Sequence, residues 1–305
     1  MDKIIIGARG SLLSICQAKE VIESLRIRFP KYKFYLRKIT TTGDHLKYWN
    51  RQDKGIFVKE IEEALLSKKI DIAVHSLKDL PSRLHPRLKL AAVTKRLEPY
   101  DVLIVKDKKN LHELKPNAVI GTGSFRRKAQ LLRWRPDLRI ETLRGNLDTR
   151  INRLRRDEFD AIVVAESGLE RIGYKKLFYK ILPKRIMLPA ACQGAIGIEI
   201  RKKDKLTAKI VKKINDSETF ICAASERSFL KEMGGGCRLP LAALEEIKKE
   251  RIFLEAAIFD PKKGEMIRLK KEAPISRAIA LGKQVAKEIL KRGGRRILKD
   301  ARKNQ

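Results

Sequence analysis

The sequence predicts an α/β protein built from two doubly wound α/β domains followed by a small C-terminal α+β domain. Three observations carry that prediction. Over the first two-thirds of the chain, short apolar strand-like runs alternate with helix-like segments, the rhythm of βαβ units and mostly parallel sheets. Glu98-Pro99-Tyr100 and Leu188-Pro189 are breaks at which the chain can leave one such domain and later return to it. From Leu241 onward the rhythm changes to successive strands and one long helix.

In chain order, Lys3-Ile4-Ile5-Ile6 is a short buried strand, and Ser11 caps a helix that runs to about Arg28. Residues 34–39 alternate as a strand, 57–67 are helical, and 70–74 form the next strand. Strands are then expected at 101–105, 118–120, 138–143 and 161–164, with 196–200 returning to complete the first domain. Segments 241–244, 251–259 and 265–269 read as antiparallel strands, and 276–292 as a long helix. The very basic end, from Lys291 to Lys303, reads as a solvated face. The expected boundaries are 1–97 with 195–213 for the first domain, 100–188 for the second and 217–305 for the third.

Composition narrows the function classes. The chain has 305 residues, 43% hydrophobic, with 70 Lys and Arg against 37 Asp and Glu, a formal net charge of +33. Such an excess attracts anions, whether nucleic acid, an anionic surface or a polyacidic small molecule. Aromatics are only 6% and no RRM or KH signature occurs, so a base-stacking nucleic-acid binder has few candidates. No stretch approaches the roughly 20 apolar residues of a membrane span, and no secretory signal is visible. Cys16, Cys192, Cys222 and Cys237 form no C-x-x-C pair, and His45, His75, His85 and His112 are scattered. Neither a disulfide framework nor a metal site is expected, and the chain reads as a soluble cytoplasmic protein.

The chemistry gathers at turns that follow strands. Arg9-Gly10-Ser11 follows the first strand, Thr122-Gly123-Ser124-Phe125-Arg126-Arg127 follows 118–120, and Arg144-Gly145-Asn146 through Arg150 follows 138–143. Helix N-termini offer free N–H groups and a positive dipole end, and arginine grips carboxylates two bonds at a time. Ligands of open α/β sheets bind beyond the carboxyl ends of the strands, so these turns are expected to converge on one cleft. Ala73-Val74-His75-Ser76-Leu77-Lys78-Asp79-Leu80-Pro81 leaves a buried strand and brings Asp79, a carboxylate, into a region otherwise suited to anions. It either pairs with a neighbouring cation or stabilises a developing positive charge and moves a proton. Met233-Gly234-Gly235-Gly236-Cys237-Arg238 places a lone thiol beside a cation on a glycine loop. That thiol is either a buried cysteine behind a glycine C-cap or a reactive one.

Several of these segments resemble those of the porphobilinogen deaminase (hydroxymethylbilane synthase) family. Val74-His75-Ser76-Leu77-Lys78-Asp79-Leu80-Pro81 is similar to its V-H-S-x-K-D-x-P, and Gly121-Thr122-Gly123-Ser124-Phe125-Arg126-Arg127 to its G-T-S-S-x-R-R. Leu143-Arg144-Gly145-Asn146 with Thr149-Arg150 resembles L-R-G-N-x-x-T-R, and Gly168-Leu169-Glu170-Arg171 resembles G-L-x-R. Leu188-Pro189-Ala190-Ala191-Cys192-Gln193-Gly194-Ala195 resembles L-P-A-x-x-Q-G-A, and the Gly235-Gly236-Cys237 loop resembles the family's G-G-C attachment loop.

The resemblance implies two periplasmic-binding-protein-like domains and a third that carries the cofactor cysteine. It implies a transferase of tetrapyrrole and haem biosynthesis that joins four porphobilinogen molecules head to tail. Ammonia leaves at each step, and hydrolysis releases hydroxymethylbilane. The implied cofactor is a dipyrromethane held by a thioether to Cys237, and the implied catalytic residue is Asp79. Arg9, Ser11, Lys54, Phe57, Ser76, Lys78, Thr122, Ser124, Arg126, Arg127, Arg144, Arg150, Arg171, Gln193 and Gly194 match positions that bind cofactor or substrate. The physics agrees: each pyrrole carries two carboxylates, so a growing chain needs fixed cations, while loss of ammonia leaves a cation-like azafulvene that a carboxylate stabilises. A monomer is expected, with no metal, no membrane and no specific nucleic acid. The sequence departs from the family at Asn50, where a first loop lysine is usual, and at Leu12, where proline is common. A non-catalytic anion binder of the same two-lobed fold would keep the arginines but need neither Asp79 nor a modified Cys237.

Overall fold

The computed structural model describes residues 3–41, 58–106, 110–174, 177–235, 239–260 and 264–303. The chain divides into two compact units, one comprising Met1–Leu97 and Ala195–Ile221, the other Glu98–Gly194 and Cys222–Gln305.

The first unit is a five-stranded sheet with helices on its faces. Its strands are β1 (Lys3–Arg9), β2 (Lys33–Ile39), β3 (Ile72–Ser76), β4 (Leu88–Val93) and the returning β10 (Ile196–Arg201), in the order β2-β1-β3-β10-β4. β1 runs parallel to β2 and β3, whereas β10 runs antiparallel to both β3 and β4. Helix α1 (Leu12–Arg28) begins where Ser11 Oγ accepts the Ser14 N–H, the expected cap. Ala18, Val21, Ile22 and Leu25 recur at helical spacing and pack into the core with Ile4, Ile6, Ile72 and Val74. Helix α2 (Lys59–Leu66) covers the other face with Ile61 and Leu65 against Ile70 and Ala73. Helix α6 (Lys205–Lys212), capped by Asp204, adds Ile210 and Val211 to the α1 side.

The second unit repeats the strand pattern. Its sheet holds β5 (Asp101–Val105), β6 (Val119–Gly121), β7 (Arg139–Glu141), β8 (Ala161–Ala165) and β9 (Tyr179–Leu182), in the order β7-β6-β8-β5-β9. β6 is parallel to β7 and β8, and β5 is antiparallel to β8 and β9. In both sheets the reversed strand is a crossing segment, β5 after Pro99 and β10 after Pro189. Reversal puts the first residue of each at the carboxyl end of its antiparallel neighbour: Asp101 lies opposite Ala165, and Ile196 opposite Ser76. Helices α3 (Phe125–Trp134), α4 (Leu147–Arg155) and α5 (Glu166–Ile172) follow β6, β7 and β8.

The C-terminal part of this unit is an antiparallel sheet of β11 (Leu241–Lys248), β12 (Arg251–Phe259) and β13 (Met266–Pro274), with helices α7 (Ser217–Glu232) and α8 (Ala278–Ile289). Ala242, Leu244, Ala257 and Phe259 pack with Ala129 of α3 and Leu188, so this sheet shares a core with the preceding α/β layer. Gly282 brings α8 against α7, where any Cβ would collide with the Ser225 carbonyl. The strands β4 and β9 escaped the sequence reading. The basic end also departs from it: past a turn at Leu290–Gly294, Arg295–Lys303 is a helix, α9, and it buries Ile297, Leu298 and Ala301. One apolar stripe among the cations docks the segment, and Arg296 pairs with Glu265.

Candidate functional site

In the first unit, β3 ends at Ser76 and a single tight turn, Leu77–Asp79, follows. Leu77 and Leu80 are buried on either side of the half-buried Lys78 and Asp79. The Leu77 N–H donates to the Ala195 carbonyl at 3.0 Å, and the Leu80 N–H to the Leu77 carbonyl at 3.2 Å. Two apolar anchors and two backbone bonds thus leave Lys78 and Asp79 little choice of position. Gly197, opposite His75 on β10, makes room for the first anchor, since a Cβ there would stand 2.7 Å from Leu77 Cδ1. Ser76 Oγ donates to Gln17 Oε1 of α1 at 2.9 Å. Arg9 ends β1, the parallel neighbour of β3, so Arg9, Ser11, Ser76, Lys78 and Asp79 all lie at one edge of this sheet. Ser11 Oγ is engaged in capping α1 and in a 2.9 Å bond to Ser14 Oγ.

In the second unit, the turns after β6 and β7 interlock. Thr122 N–H donates to the Glu141 carbonyl at 2.9 Å, and Gly123 passes so close that a Cβ would stand 2.9 Å from the Leu143 carbonyl oxygen. Thr122 Oγ1 accepts the Ser124 N–H at 3.3 Å, and Ser124 Oγ in turn caps α3 by accepting the Arg127 N–H. Gly145 has φ of +111°, a conformation glycine adopts freely, and its carbonyl accepts Arg150 Nε–H at 2.8 Å. Arg144 is exposed at the same turn. Arg171, at the end of α5, donates to the Gly194 carbonyl at 3.0 Å.

Arg126 and Arg127 are placed differently from the other arginines. They are 4% and 5% exposed and flank Asp101, which is 0% exposed. Arg127 Nε and Nη2 both donate to Asp101 Oδ1, at 3.0 and 2.7 Å, and its Nη1 donates to the Val163 carbonyl at 2.8 Å. Arg126 Nη1 stands 2.7 Å from Asp101 Oδ2 and donates to the Leu188 carbonyl at 2.7 Å. Gln193 Nε2 completes the set, donating to Asp101 Oδ1 at 3.0 Å and to the Pro99 carbonyl at 2.7 Å. Burial alone would raise the Asp101 pKa, but the two guanidiniums outweigh it and hold the carboxyl well below the usual range.

Sequence reasoning passed over Asp101. Its one signal was an acidic residue opening a strand otherwise made of Val102-Leu103-Ile104-Val105. Sequence reasoning also passed over Glu226, buried on α7. Its Oε2 accepts the N–H of Cys192, which holds φ of +62°, and its Oε1 accepts the Glu245 N–H at 2.8 Å. This carboxylate therefore ties the segment carrying Gln193 and Gly194 to α7 and β11.

Helix α7 closes as a Schellman turn. Gly234 has φ of +78°, its N–H donates to the Lys231 carbonyl, and the Gly235 N–H donates to the Leu230 carbonyl. The glycine exit from a helix ending near Met233 is thus as expected. Cys237, Lys54 and Phe57 lie outside the described residues. Cys192 and Cys222 are buried and Cys16 is half-buried, and no metal-ligand cluster occurs among the described residues. Each unit by itself offers donors that fit an anionic group: in the first, Arg9 and Lys78 at the strand ends with the capped N-terminus of α1, and in the second, Arg144, Arg150 and Arg171 with the capped N-terminus of α3.

Comparisons with known proteins show the family. A family model described as "Porphobilinogen deaminase, dipyromethane cofactor binding domain" matches residues 4–209, and one described as "Porphobilinogen deaminase, C-terminal domain" matches residues 220–291. A porphobilinogen deaminase of Thermus thermophilus is 41% identical over 303 residues, covering 99% of this chain and 100% of the relative. One of Desulforamulus reducens is 40% identical over 303 residues, covering 98% of each, and one of Clostridioides difficile is 42% identical over 293 residues, covering 94% of this chain and 97% of the relative. The two family models between them take in nearly the whole chain, including the strand ends that carry Asp79 and the arginines, and the chain belongs to the porphobilinogen deaminase family.

Proposed function

We propose that Asp79 is the reacting carboxylate and that Cys237 carries the dipyrromethane through a thioether. Family membership makes the chemistry that of a transferase of tetrapyrrole biosynthesis, the deaminating condensation of porphobilinogen, with a dipyrromethane cofactor. The observation that carries the reading of Asp79 is its immobilisation. It is a half-buried carboxylate fixed between Leu77 and Leu80 at the carboxyl end of β3, next to Lys78 and on the same sheet edge as Arg9. A carboxylate held there stabilises the cation left when ammonia departs from the substrate, and it takes up or returns the proton the condensation requires.

Arg9, Lys78, Arg144, Arg150 and Arg171, with Lys54, hold the carboxylates of cofactor and growing chain. Arg126, Arg127 and Gln193 act around Asp101, keeping the Thr122–Ser124 turn and Gly194 in place. Ser11 and Ser124 contribute the N-terminal N–H groups of the helices they cap, Ser76 braces β3 against Gln17, and Phe57 belongs to the set that binds cofactor or substrate. When bound, the dipyrromethane supplies the pyrrole carbon to which the first substrate unit is joined. We further propose a cytoplasmic monomer without specific nucleic-acid binding. Among the described residues, no helix is long and apolar enough to cross a membrane.

Intact-mass analysis tests the attachment. The purified protein is expected to carry an added dipyrromethane, Cys237→Ser to lack it and be inactive, and Cys16→Ser, Cys192→Ser and Cys222→Ser each to keep it. An unmodified, fully active wild type would sink the assignment.

A further inference from the structure

Helix α2 covers one face of the first sheet through an apolar cluster of Ile61, Ala64, Leu65, Ile70, Ala73 and Leu88. There three titratable side chains from three elements meet: Glu62 of α2, His75 of β3 and Glu199 of β10. His75 and Glu199 are 6% and 0% exposed, and His75 Nε2 stands 3.1 Å from Glu199 Oε2. The second oxygen, Glu199 Oε1, is buried and accepts from no N–H or hydroxyl donor among the described residues. Glu62, half-buried, faces this carboxyl within hydrogen-bonding reach. Two carboxylates so placed repel unless one of them carries a proton.

We propose that Glu62, Glu199 and His75 form a proton-sharing strut that positions the Asp79 turn, with Glu62 holding its proton in the working enzyme. The Glu62 O–H donates to Glu199 Oε1, and His75 Nε2–H donates to Glu199 Oε2. The strut thereby links α2 and β10 to β3 at the residue immediately before Ser76, three residues before the Lys78–Asp79 pair. Burial first, and then the charge of Glu199, push the Glu62 carboxyl up to about 7, against the lowering by His75.

Arg201 of β10 also reaches α2, donating to the Leu65 carbonyl at 3.1 Å. Arg201, toward the far end of β10, is bonded to Asp71 and Asp204, each at 2.8 Å. Arg9 stands at the end of β1, while Lys59, Glu60 and Glu63 belong to α2 itself. As pH rises through the Glu62 titration, its proton passes to solvent, the donor to Glu199 Oε1 is lost, and like charges oppose each other behind β3. The strut loosens, and Glu62, Glu199 and His75 act as positioning residues rather than catalytic ones.

The proposal rests on the reading of Asp79 only for its effect on turnover, so the experiment has two readouts. In difference infrared spectra of the cofactor-loaded wild type against Glu62→Gln, a protonated-carboxyl C=O band is expected at about pH 6 and is expected to be gone by about pH 8. That readout is independent of what Asp79 does. In steady-state kinetics with porphobilinogen, Glu62→Gln can still donate an N–H to Glu199 Oε1 but cannot titrate. It is expected to match wild-type kcat at the lower pH and to lack the wild-type decline above it. Glu62→Ala leaves Glu199 Oε1 without a donor and is expected to lower kcat roughly 10-fold or more at both pH values with KM little changed. Absence of the infrared band overturns the shared proton. A Glu62→Gln pH profile superimposable on that of the wild type overturns the positioning role. Both comparisons stand even if Glu62→Ala does not fold.

Discussion

Asp79 and Asp101 are the same side chain at the equivalent edge of two sheets with the same strand pattern, yet their surroundings differ, and so do the tasks proposed for them. Asp79 sits on a turn, half-buried between the apolar anchors Leu77 and Leu80. Asp101 opens a reversed strand, is sealed from water, and is enclosed by Arg126, Arg127 and Gln193. A carboxylate that must meet a transient cation cannot already be neutralised by two guanidiniums. One that must hold two arginines in an apolar interior cannot be left in water. On the proposed reading of Asp79, the second unit uses an aspartate as scaffold where the first uses one as reagent.

The largest expected effect follows from the reagent. Asp79→Asn keeps shape and removes charge, and turnover is expected to fall at least roughly 100-fold, the scale of a positioned acid–base or electrostatic group. Denaturation midpoint and cofactor mass are expected to change far less than turnover, because the turn is held by the buried Leu77 and Leu80 and by two backbone hydrogen bonds. Near-normal turnover in a folded Asp79→Asn would reduce the two aspartates to the same structural role and end the contrast.

The scaffold predicts the reverse pattern. Asp101→Asn leaves two buried guanidiniums facing an amide and is expected to cost roughly 3–5 kcal/mol of stability, the range for breaking a buried ion pair from one side. Urea denaturation reads this directly. The pH dependence follows from the sign of the shift. The folded-state pKa of Asp101 is depressed, so its stabilisation is complete above the ordinary aspartate range and is lost only as pH falls through a value well below it. Glu62 runs the other way: with a folded pKa raised to about 7, its contribution is complete below the ordinary glutamate range and is lost as pH rises through neutrality. Mild acid should therefore spare both. A wild type that unfolds in mild acid through an Asp101-dependent step would contradict the buried ion pair.

What the sequence made legible and what it did not divide along the same line. The Ser11 cap, the strand–turn–helix order and the position of Asp79 after β3 are local, set by neighbours within a few residues, and they were read from pattern alone. The directions of β5 and β10 were not legible, since an apolar run carries no sign of its orientation. The pairing of Asp101 with Arg126, Arg127 and Gln193 joins residues far apart in the chain. The arginines themselves were visible, but the partner that places them out of water was not. Glu62 lies in Lys59-Glu60-Ile61-Glu62-Glu63, which looks like the solvated face of a helix, and only the fold brings Glu199 against it. The C-terminal cations showed as charge, while the Ile297, Leu298 and Ala301 stripe that docks them was diluted below notice.

The smallest effect sharpens the comparison inside the scaffold. The family segment that residues 121–127 resemble carries serine where this chain has Gly123. Here the β6–α3 turn passes the end of β7 so closely that a Cβ would stand 2.9 Å from the Leu143 carbonyl oxygen. The Thr122 N–H bond to the Glu141 carbonyl, 2.9 Å, ties the same two segments together, so the contact cannot be relieved by a side-chain rotation. Gly123→Ser is therefore expected to destabilise by roughly 1 kcal/mol, at the low end for overpacking. Because Arg144 follows Leu143 directly, the displacement is carried to a proposed carboxylate-binding arginine, and KM for porphobilinogen should rise while Asp79-dependent kcat holds. Gly123→Ala carries the same Cβ without the hydroxyl and should behave alike, which separates crowding from any new hydrogen bond made by serine. If both variants left stability and KM untouched, the turns after β6 and β7 would be able to shift freely past each other. The fixed arginine scaffold that distinguishes the second unit from the first would then not exist.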